Sequence, residues 1–173
     1  MTCVRRFTCD DLFTFNNVNL DYFTETYNLP FYLQYLANWP EYCLMAEGAD
    51  GQAMGYILGK VEGADNDWHG HVTAVTVAPE YRRQGLAKQL MDCLETVTER
   101  DEGFFVDLFV RESNTSAINM YKKFDYSIYR TVVGYYSGEE DAYDMRKAMS
   151  RDIHKRSLKA RKDRIHPDEL ETD

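Results

Sequence analysis

The stretch HVTAVTVAPEYRRQGLAKQLMDCLETV, residues 71–97, predicts a strand, a tight corner and a helix in direct succession. The β-branched run Val75, Thr76 and Val77 favours an extended segment, whereas apolar residues recur at helical spacing from Leu86 to Val97. The first backbone N–H groups of a helix have no intrahelical partner, and the helix dipole places partial positive charge there. The corner is therefore a place where an anion such as a pyrophosphate can bind.

The corner itself reads Arg-Arg-Gln-Gly-Leu-Ala from Arg82 to Ala87. Gly85 and Ala87 remove the side chains that would hold a ligand away from the backbone, and the arginines add positive charge. The same composition is also that of an ordinary solvated loop. The fragment alone leaves both interpretations open.

Length and composition predict a folded protein with one main domain. The chain has 173 residues, of which 44% are apolar, and it contains 13 Tyr and 9 Phe. Its formal net charge is −9, and the acidity belongs to residues 1–150. A general nucleic-acid-binding protein would instead carry a basic footprint, so we expect no direct nucleic-acid binding.

The cysteines and the apolar runs predict the cellular location of the protein. Cys3, Cys9, Cys43 and Cys93 form no C-x-x-C pair, which favours reduced thiols in a cytosolic protein. No apolar run reaches the length of a membrane span, and no signal-type apolar core follows Arg5-Arg6, so we expect a soluble, unexported protein.

A pair of histidines invites a metal interpretation that we do not favour. His69 and His71 would project from one face of a strand, but no Cys or acid completes a recognisable zinc ligand set. We therefore expect no metal site.

The order of predicted elements indicates a mixed α/β domain over residues 1–150. The expected strands are 4–7, 42–46, 54–59, 71–77, 104–110, 126–136 and 143–147, and the expected helices are 10–17, 31–36, 86–100 and 115–124. Residues 151–173 turn sharply to charged composition. We expect them to form a separate tail that is mobile or that folds onto a partner.

A second candidate motif is VRESNTSAINMY, residues 110–121. Asn114 and Tyr121 lie seven residues apart, so they share one face of a predicted helix. Asn is also a favoured helix N-cap, and a tyrosine at this spacing usually packs in a core. Spacing alone does not decide between these roles.

Together the two motifs carry a family resemblance. The corner at 82–87 matches R-x-x-G-x-G/A, the acetyl-CoA pyrophosphate loop of the GCN5-related N-acetyltransferases (GNAT), and residues 110–121 resemble the second acetyl-CoA motif of that family. The resemblance implies the GNAT fold, a mixed central sheet of about seven strands flanked by helices, with acetyl-CoA as acetyl donor and no metal. The cofactor-binding residues it implies are Val75, Val77, Arg82, Arg83, Gln84, Gly85, Leu86, Ala87, Asn114 and Tyr121. Phe124-Asp125-Tyr126 departs from the pattern, because many members have glycine before the aromatic residue.

The flanking sequence resembles the catalytic subunits of NatB-type N-terminal acetyltransferases over nearly all of residues 1–152. The matching segments are TCDDLFTFNNVNLD, TETYNLPFYLQYLANWPEY, WHGHVTAVTVAPEYRRQGLA, FFVDLFVRESN and EDAYDMRKAMSRD. This resemblance implies acetylation of the α-amine of nascent proteins beginning Met-Asp, Met-Glu, Met-Asn or Met-Gln. It further implies a large helical-repeat auxiliary subunit and a cytoplasmic, ribosome-associated location without membrane binding. Asn28 stands where glycine is usual in such subunits.

Carried over residue by residue, the resemblance implies a substrate-binding set. Its members are Glu25, Tyr27, His71, Thr73, Asn114, Tyr135 and Tyr136. His71 and Thr73 would point to the same side of their strand, and Tyr135 and Tyr136 to opposite faces of theirs. Without the resemblance, a hydrogen-bonded core would be the better interpretation of His71 and the tyrosines.

The implied catalytic set is Tyr121, Glu25 and His71. Tyr121 would act as the acid near the thioester sulfur, Glu25 and His71 would orient or relay the proton, and a backbone N–H of the central strand would polarise the acetyl carbonyl. Two alternatives stay open: a non-catalytic acyl-CoA-binding assembly subunit, and an acetyltransferase acting on lysine or small amines.

Overall fold

The computed structural model describes residues 2–170. Within this part of the chain the strands are β1 Cys3–Arg6, β2 Cys43–Glu47, β3 Ala53–Glu62, β4 His69–Val77, β5 Phe105–Arg111, β6 Ser127–Tyr136, β7 Glu140–Ala148 and β8 Arg164–Ile165. The helices are α1 Leu29–Asn38, α2 Leu86–Arg100 and α3 Thr115–Lys123. No helix among residues 2–170 is long and apolar enough to cross a membrane.

The strands form a mixed sheet. Its order is β1-β2-β3-β4-β5-β7-β6-β8, which is one strand more than the predicted seven. Strand β2 pairs antiparallel with β1 and β3, strand β7 pairs antiparallel with β5 and β6, and β8 pairs parallel with β6. The predicted mixed α/β architecture is thereby confirmed.

The first of two compact units comprises Met1–Lys60 and Val72–Val97. Its core is rich in aromatic residues packed edge to face. The Phe15 ring lies 5.6 Å from the Phe7 and Tyr32 rings, and Tyr56 is fully buried against Phe7. Edge-to-face contacts of this kind stabilise a core beyond the area they bury.

The second compact unit comprises Val61–His71 and Thr98–Asp173. Two arginines and an aspartate are buried within it: Arg130 Nε donates to Asp144 at 2.9 Å, and Arg146 Nη2 donates to the same carboxylate at 3.0 Å. The Arg146 guanidinium also lies 3.6 Å from the centre of the Tyr129 ring. Buried charges of this kind are tolerated because they are paired and hydrogen-bonded.

The helix predicted over residues 10–17 is wrong. The structure has two 3-10 turns there instead, Cys9–Phe13 and Asn16–Asn19. Thr8 N donates to Asp11 Oδ2 at 2.8 Å, as in a capping box at the start of the first turn. Within the second turn, the Asn17 side chain donates to the Ala53 carbonyl at 2.8 Å.

Asn28 has a clear structural role at the start of α1. Its backbone is extended, and its Oδ1 accepts a hydrogen bond from Phe31 N at 3.0 Å. Asparagine is among the best N-cap residues because it satisfies one of the unpaired N–H groups of the first turn. The departure from the glycine usual in NatB-type subunits is therefore compatible with a well-capped helix.

Much of the predicted charged tail is ordered up to residue 170. Strand β8 pairs Thr131 with Arg164 and Val132 with Ile165, and Ile165 is buried against Val132 and Ala142. A few apolar residues scattered among charges gave no periodic signal, so the sequence did not predict this strand. Residues 171–173, at the acidic end of the predicted tail, lie outside the described residues.

The chain turns sharply after α3 at Asp125, which has φ +70°. Tyr126 N donates to Tyr121 O at 3.0 Å and Asp125 N donates to Lys122 O at 3.1 Å. These two bonds define a Schellman motif, whose left-handed position favours glycine. This position explains why many GNAT members have glycine before the aromatic residue. Aspartate keeps the turn but pays a steric penalty for its positive φ.

We expect the Asp125→Gly variant to be more stable than the parent by about 0.5–1 kcal/mol, because glycine adopts positive φ without a steric penalty. Urea unfolding of both proteins would measure the difference. Asp125→Ala is the matched control and should be less stable than Asp125→Gly, since it retains a Cβ in the left-handed conformation. A glycine variant less stable than the parent would contradict this account of the turn.

Candidate active site

The corner at the start of α2 is open to a ligand. Gly85 has φ +81°, and a Cβ placed on it would meet no atom within 4 Å. Its carbonyl accepts from Gln89 N at 3.0 Å, so the residues after it begin the helical ladder. The corner therefore combines a helix N-terminus with clear space beside the backbone, which is the arrangement that a diphosphate needs.

Arg82 is fixed by two hydrogen bonds within the first unit. Its Nε donates to the Val77 carbonyl at 3.1 Å, and its Nη2 donates to Asp21 Oδ2 at 2.7 Å. The Phe23 N–H and the Arg82 guanidinium together lower the pKa of the Asp21 carboxyl. Arg82 thus ties the corner to the loop before α1, in addition to the phosphate contact predicted for it.

The other residues of the corner differ in exposure. Arg83 is exposed and has φ +61°, and Gln84 is exposed as well. Leu86 is buried and anchors α2 in the core, whereas Ala87 is half-buried beside the open space. Among these residues, Arg83 is the cation best placed to meet an anion arriving from solvent.

The part of β4 within the first unit presents hydroxyl and apolar groups. Thr73 Oγ1 lies 2.7 Å from Tyr35 Oη, and Thr76 Oγ1 lies 3.1 Å from Thr24 Oγ1. Val75 and Val77 are half-buried, although they belong to an interior strand of the sheet order.

Glu25 and Tyr27 lie on the loop that precedes α1. The Tyr27 ring stacks on Phe31 with 4.1 Å between centroids, and Tyr27 N donates to Tyr32 Oη at 3.0 Å. Glu25 is half-buried two residues before Tyr27. The loop is thus fixed to the aromatic core by Tyr27, and this fixes the region from which Glu25 projects.

In the second unit, His71 is bonded to a buried carboxylate. His71 Nδ1 lies 2.7 Å from Asp107 Oδ1, and His69 Nε2 lies 3.6 Å from Asp107 Oδ2. Burial by itself would raise the pKa of the Asp107 carboxyl, but His71, His69 and Arg146 outweigh it and hold that pKa well below its usual range. Asp107 is therefore ionised at neutral pH.

His69 has a packing role beside this pair. Its ring stacks on Phe105 with 4.5 Å between centroids, and its Nδ1 lies 2.5 Å from the Asp67 carbonyl oxygen. Within residues 2–170, no group of three or more His, Cys, Asp and Glu side chains is arranged to hold a metal ion.

Tyr135 and Tyr136 lie on the same side, so the predicted alternation is wrong. Their ring centroids are 5.1 Å apart, Tyr135 packs 4.8 Å from Phe109, and Tyr136 Oη donates to the Phe109 carbonyl at 3.2 Å. The pairing of β6 with β7 slips between Val132 and Tyr136, where Gly134 has φ +62°. A bulge of this kind re-aims the side chains that follow it.

Phe109 joins three of the predicted substrate residues. The His71 ring lies 5.4 Å from it, and both tyrosines contact it as described above. Phe109 and Asp107 were not predicted as site residues. The available signal was the single acid in the apolar run FFVDLFV, since an ionisable group in a buried strand needs a partner.

Helix α3 carries the remaining two candidates. Asn114 is the N-cap, and its Oδ1 accepts from Ala117 N at 3.2 Å, so the capping role considered from spacing is present. Tyr121 is buried, and burial raises the pKa of its phenol above the usual value. A phenol with a raised pKa stays protonated at neutral pH and can donate a proton or a hydrogen bond.

Comparison with known proteins identifies the family. Residues 12–126 match the family model described as the Acetyltransferase (GNAT) family. The chain belongs to this family. N-alpha-acetyltransferase 20 of Dictyostelium discoideum is 64% identical to it, covering 96% of this chain and 97% of the relative. The N-terminal acetyltransferase B complex catalytic subunit NAA20 of Arabidopsis thaliana is 61% identical, covering 100% of both chains.

Solved structures of related proteins also match the chain. Naa20 of Chaetomium thermophilum in complex with a bisubstrate analogue superposes with a TM-score of 0.93 at 43% identity, covering 97% of this chain and 98% of that one. A chain of the NatB acetyltransferase complex bound to CoA and MES gives a TM-score of 0.79 at 44% identity, covering 85% and 99%. The GNAT fold and the resemblance to NatB catalytic subunits are thereby confirmed.

Proposed function

We propose that this GNAT protein is the catalytic subunit of a NatB-type N-terminal acetyltransferase. It transfers an acetyl group from acetyl-CoA to the α-amine of proteins beginning Met-Asp, Met-Glu, Met-Asn or Met-Gln. The observation that carries the proposal is the 61% identity to a NatB catalytic subunit over the full length of both chains. The open helix corner at Gly85 fits the diphosphate of such a donor.

Acetyl transfer to an α-amine needs only a weak general base. Acetyl-CoA supplies the acetyl group as a thioester; the N–C bond forms as the C–S bond breaks. A protein α-amine has a pKa of about 7.7–8.0, so on the order of a tenth is neutral at pH 7. Glu25 and His71 need only orient the amine and pass its proton to solvent.

Tyr121 completes the proton balance. Its phenol, which burial keeps protonated, gives a proton to the departing thiolate and regains one from solvent. A backbone N–H of β4 stabilises the negative charge that develops on the acetyl oxygen.

A peptide panel tests the function. The chain, co-expressed with its auxiliary subunit, should acetylate Met-Asp and Met-Asn peptides at least tenfold faster than a Ser-Glu peptide or an internal-lysine peptide, measured as CoA release. Preference for the lysine peptide would reject the assignment in favour of a lysine acetyltransferase. Binding of acetyl-CoA without any turnover would indicate a non-catalytic subunit.

We further infer that a large helical-repeat auxiliary subunit packs on an apolar patch of the first unit. We define the apolar patch by the exposed large apolar side chains that lie between residues 13 and 33 of the chain; its members are Phe13, Leu20, Tyr22, Phe23, Leu29 and Leu33. Tyr22 is 91% exposed. Exposed large apolar side chains in one segment are typical of a protein interface, and the relatives named above include a subunit of a complex.

Removing apolar area from the patch should prevent assembly. We expect the Phe13→Ser/Leu20→Ser double variant to lose most co-purification with the auxiliary subunit. We also expect the isolated parent chain to be poorly soluble or weakly active. Ile153→Ser is the matched control, because Ile153 is equally exposed but lies in the second unit. Full activity and solubility of the isolated chain would contradict this surface assignment.

A cytoplasmic, ribosome-associated location is the third part of the proposal. Nascent chains carry the free α-amines that such an enzyme would acetylate, and all four cysteines are free thiols, as a reducing compartment favours. Sedimentation of the complex with ribosomes at low salt would test the association, and its absence from the ribosomal fraction would argue against it.

A further inference from the structure

The bond between His71 and Asp107 fixes which imidazole nitrogen carries hydrogen. An ionised carboxylate only accepts hydrogen bonds, so the 2.7 Å contact requires Nδ1–H of His71 to donate to Asp107 Oδ1. In the neutral ring, Nε2 then has no hydrogen and can only accept. In the protonated ring, Nε2–H becomes a donor with positive charge.

We propose that Asp107 acts through His71 to set the preference between acidic and amide side chains at the second position of the substrate. The inference rests on the proposed function and on the substrate-binding role that the resemblance implies for His71, here a contact of its Nε2 with that side chain. A protonated Nε2–H donates to the carboxylate of Asp or Glu in a charge-assisted bond. A neutral Nε2 accepts from the carboxamide N–H of Asn or Gln but offers a carboxylate nothing.

Loss of one proton from His71 therefore converts a site for acidic or amide side chains into a site for amide side chains alone. The protonated ring can also donate to a carboxamide oxygen, so amide substrates bind in both states. Acidic substrates need the protonated state. Asp107 is a positioning residue in this scheme, since it holds the ring and favours its positive charge without touching the substrate.

Other charged groups surround the pair and are themselves paired. They are His69 on β4, Glu62 on β3, Asp67 before β4, Arg111 on β5, Arg130 on β6, and Asp144 and Arg146 on β7. Arg130 and Arg146 bond to Asp144, and Arg111 Nη1 donates to Glu140 at 2.9 Å. Asp107 is bonded to His71 at 2.7 Å, so its negative charge favours the protonated ring.

The test is the ratio of kcat/KM for a Met-Asp peptide to that for a Met-Asn peptide, measured from pH 6 to pH 9 with the catalytic and auxiliary subunits together. We expect the ratio to fall about fivefold to tenfold across this range, because the acidic substrate loses its hydrogen bond to the ring whereas the amide substrate exchanges one hydrogen bond for another. The substrate α-amine titrates in this range but affects both peptides alike. The aspartate side chain titrates near pH 4, outside it.

Two variants separate positioning from a merely structural role. Asp107→Asn keeps an oxygen for Nδ1–H but removes the charge, so the fall in the ratio should move to lower pH. His71→Gln places an amide that does not titrate, so its ratio should be flat with pH. Equal loss of both activities with an unchanged pH dependence of the ratio would show that Asp107 only stabilises the fold, and would overturn the proposal.

The outcomes also separate this inference from the proposed function. A flat ratio in the parent enzyme, with both peptides acetylated, overturns the role of Asp107 and leaves the NatB-type activity standing. Failure to acetylate either peptide overturns the proposed function and this inference with it. If Asp107→Asn does not fold, the parent profile and His71→Gln still decide the matter.

Discussion

The Tyr121→Phe variant is expected to lose about 10²–10³-fold in kcat while its affinity for acetyl-CoA stays close to that of the parent. The change removes one hydroxyl from a buried ring and leaves the ring itself in place. The loss falls on kcat because the proton is needed when the C–S bond breaks, after both substrates are bound. Steady-state kinetics with a Met-Asp peptide and calorimetric binding of acetyl-CoA would measure the two quantities.

The raised pKa of Tyr121 adds a pH dependence with a definite sign. The active form is the neutral phenol, and burial extends that form to higher pH than in a free tyrosine. The parent kcat should therefore show no decline between pH 8 and pH 10 from this group. Tyr126→Phe is the matched control, since Tyr126 is also buried and its ring lies 6.1 Å from that of Tyr121. Turnover of Tyr121→Phe equal to that of the control would remove Tyr121 from the mechanism.

The second large effect is expected at Gly85. Gly85→Glu should weaken acetyl-CoA binding at least 100-fold, because the new carboxylate would stand in the open space beside the helix N-terminus and repel the diphosphate. Stability should fall by only about 1 kcal/mol, from the strain of a side chain at positive φ. Calorimetric titration with CoA and urea unfolding would give the two numbers.

The chain offers a matched control for the strain. Gly138 has φ +75°, and a Cβ placed on it would also meet no atom within 4 Å, but it lies in the turn between β6 and β7. Gly138→Glu should lose the same stability and keep its affinity for CoA. Equal CoA affinity of Gly85→Glu and the parent would show that the diphosphate does not bind at this corner, and would undo the proposed use of acetyl-CoA there.

Local chemistry made several elements predictable. Helix α2 runs over the predicted residues 86–100, since its apolar spacing and the glycine before it both lie within one short window. The start of α3 after Asn114 and the contact of Thr8 with Asp11 follow from capping rules that span three or four residues. The two cofactor motifs were found for the same reason, because each is a local arrangement of backbone and small side chains.

The sequence by itself therefore determined the helix corner at Gly85, the family and the position of Tyr121 on α3. Only the tertiary structure decided that Asp107 bonds to His71, that Arg82 bonds to Asp21, and that Tyr135 and Tyr136 share one side of β6. The physical reason is the separation along the chain: Asp107 lies 36 residues from His71, and Arg82 lies 61 from Asp21. Strand register and bulges set such contacts, and both depend on the whole sheet and not on any one segment.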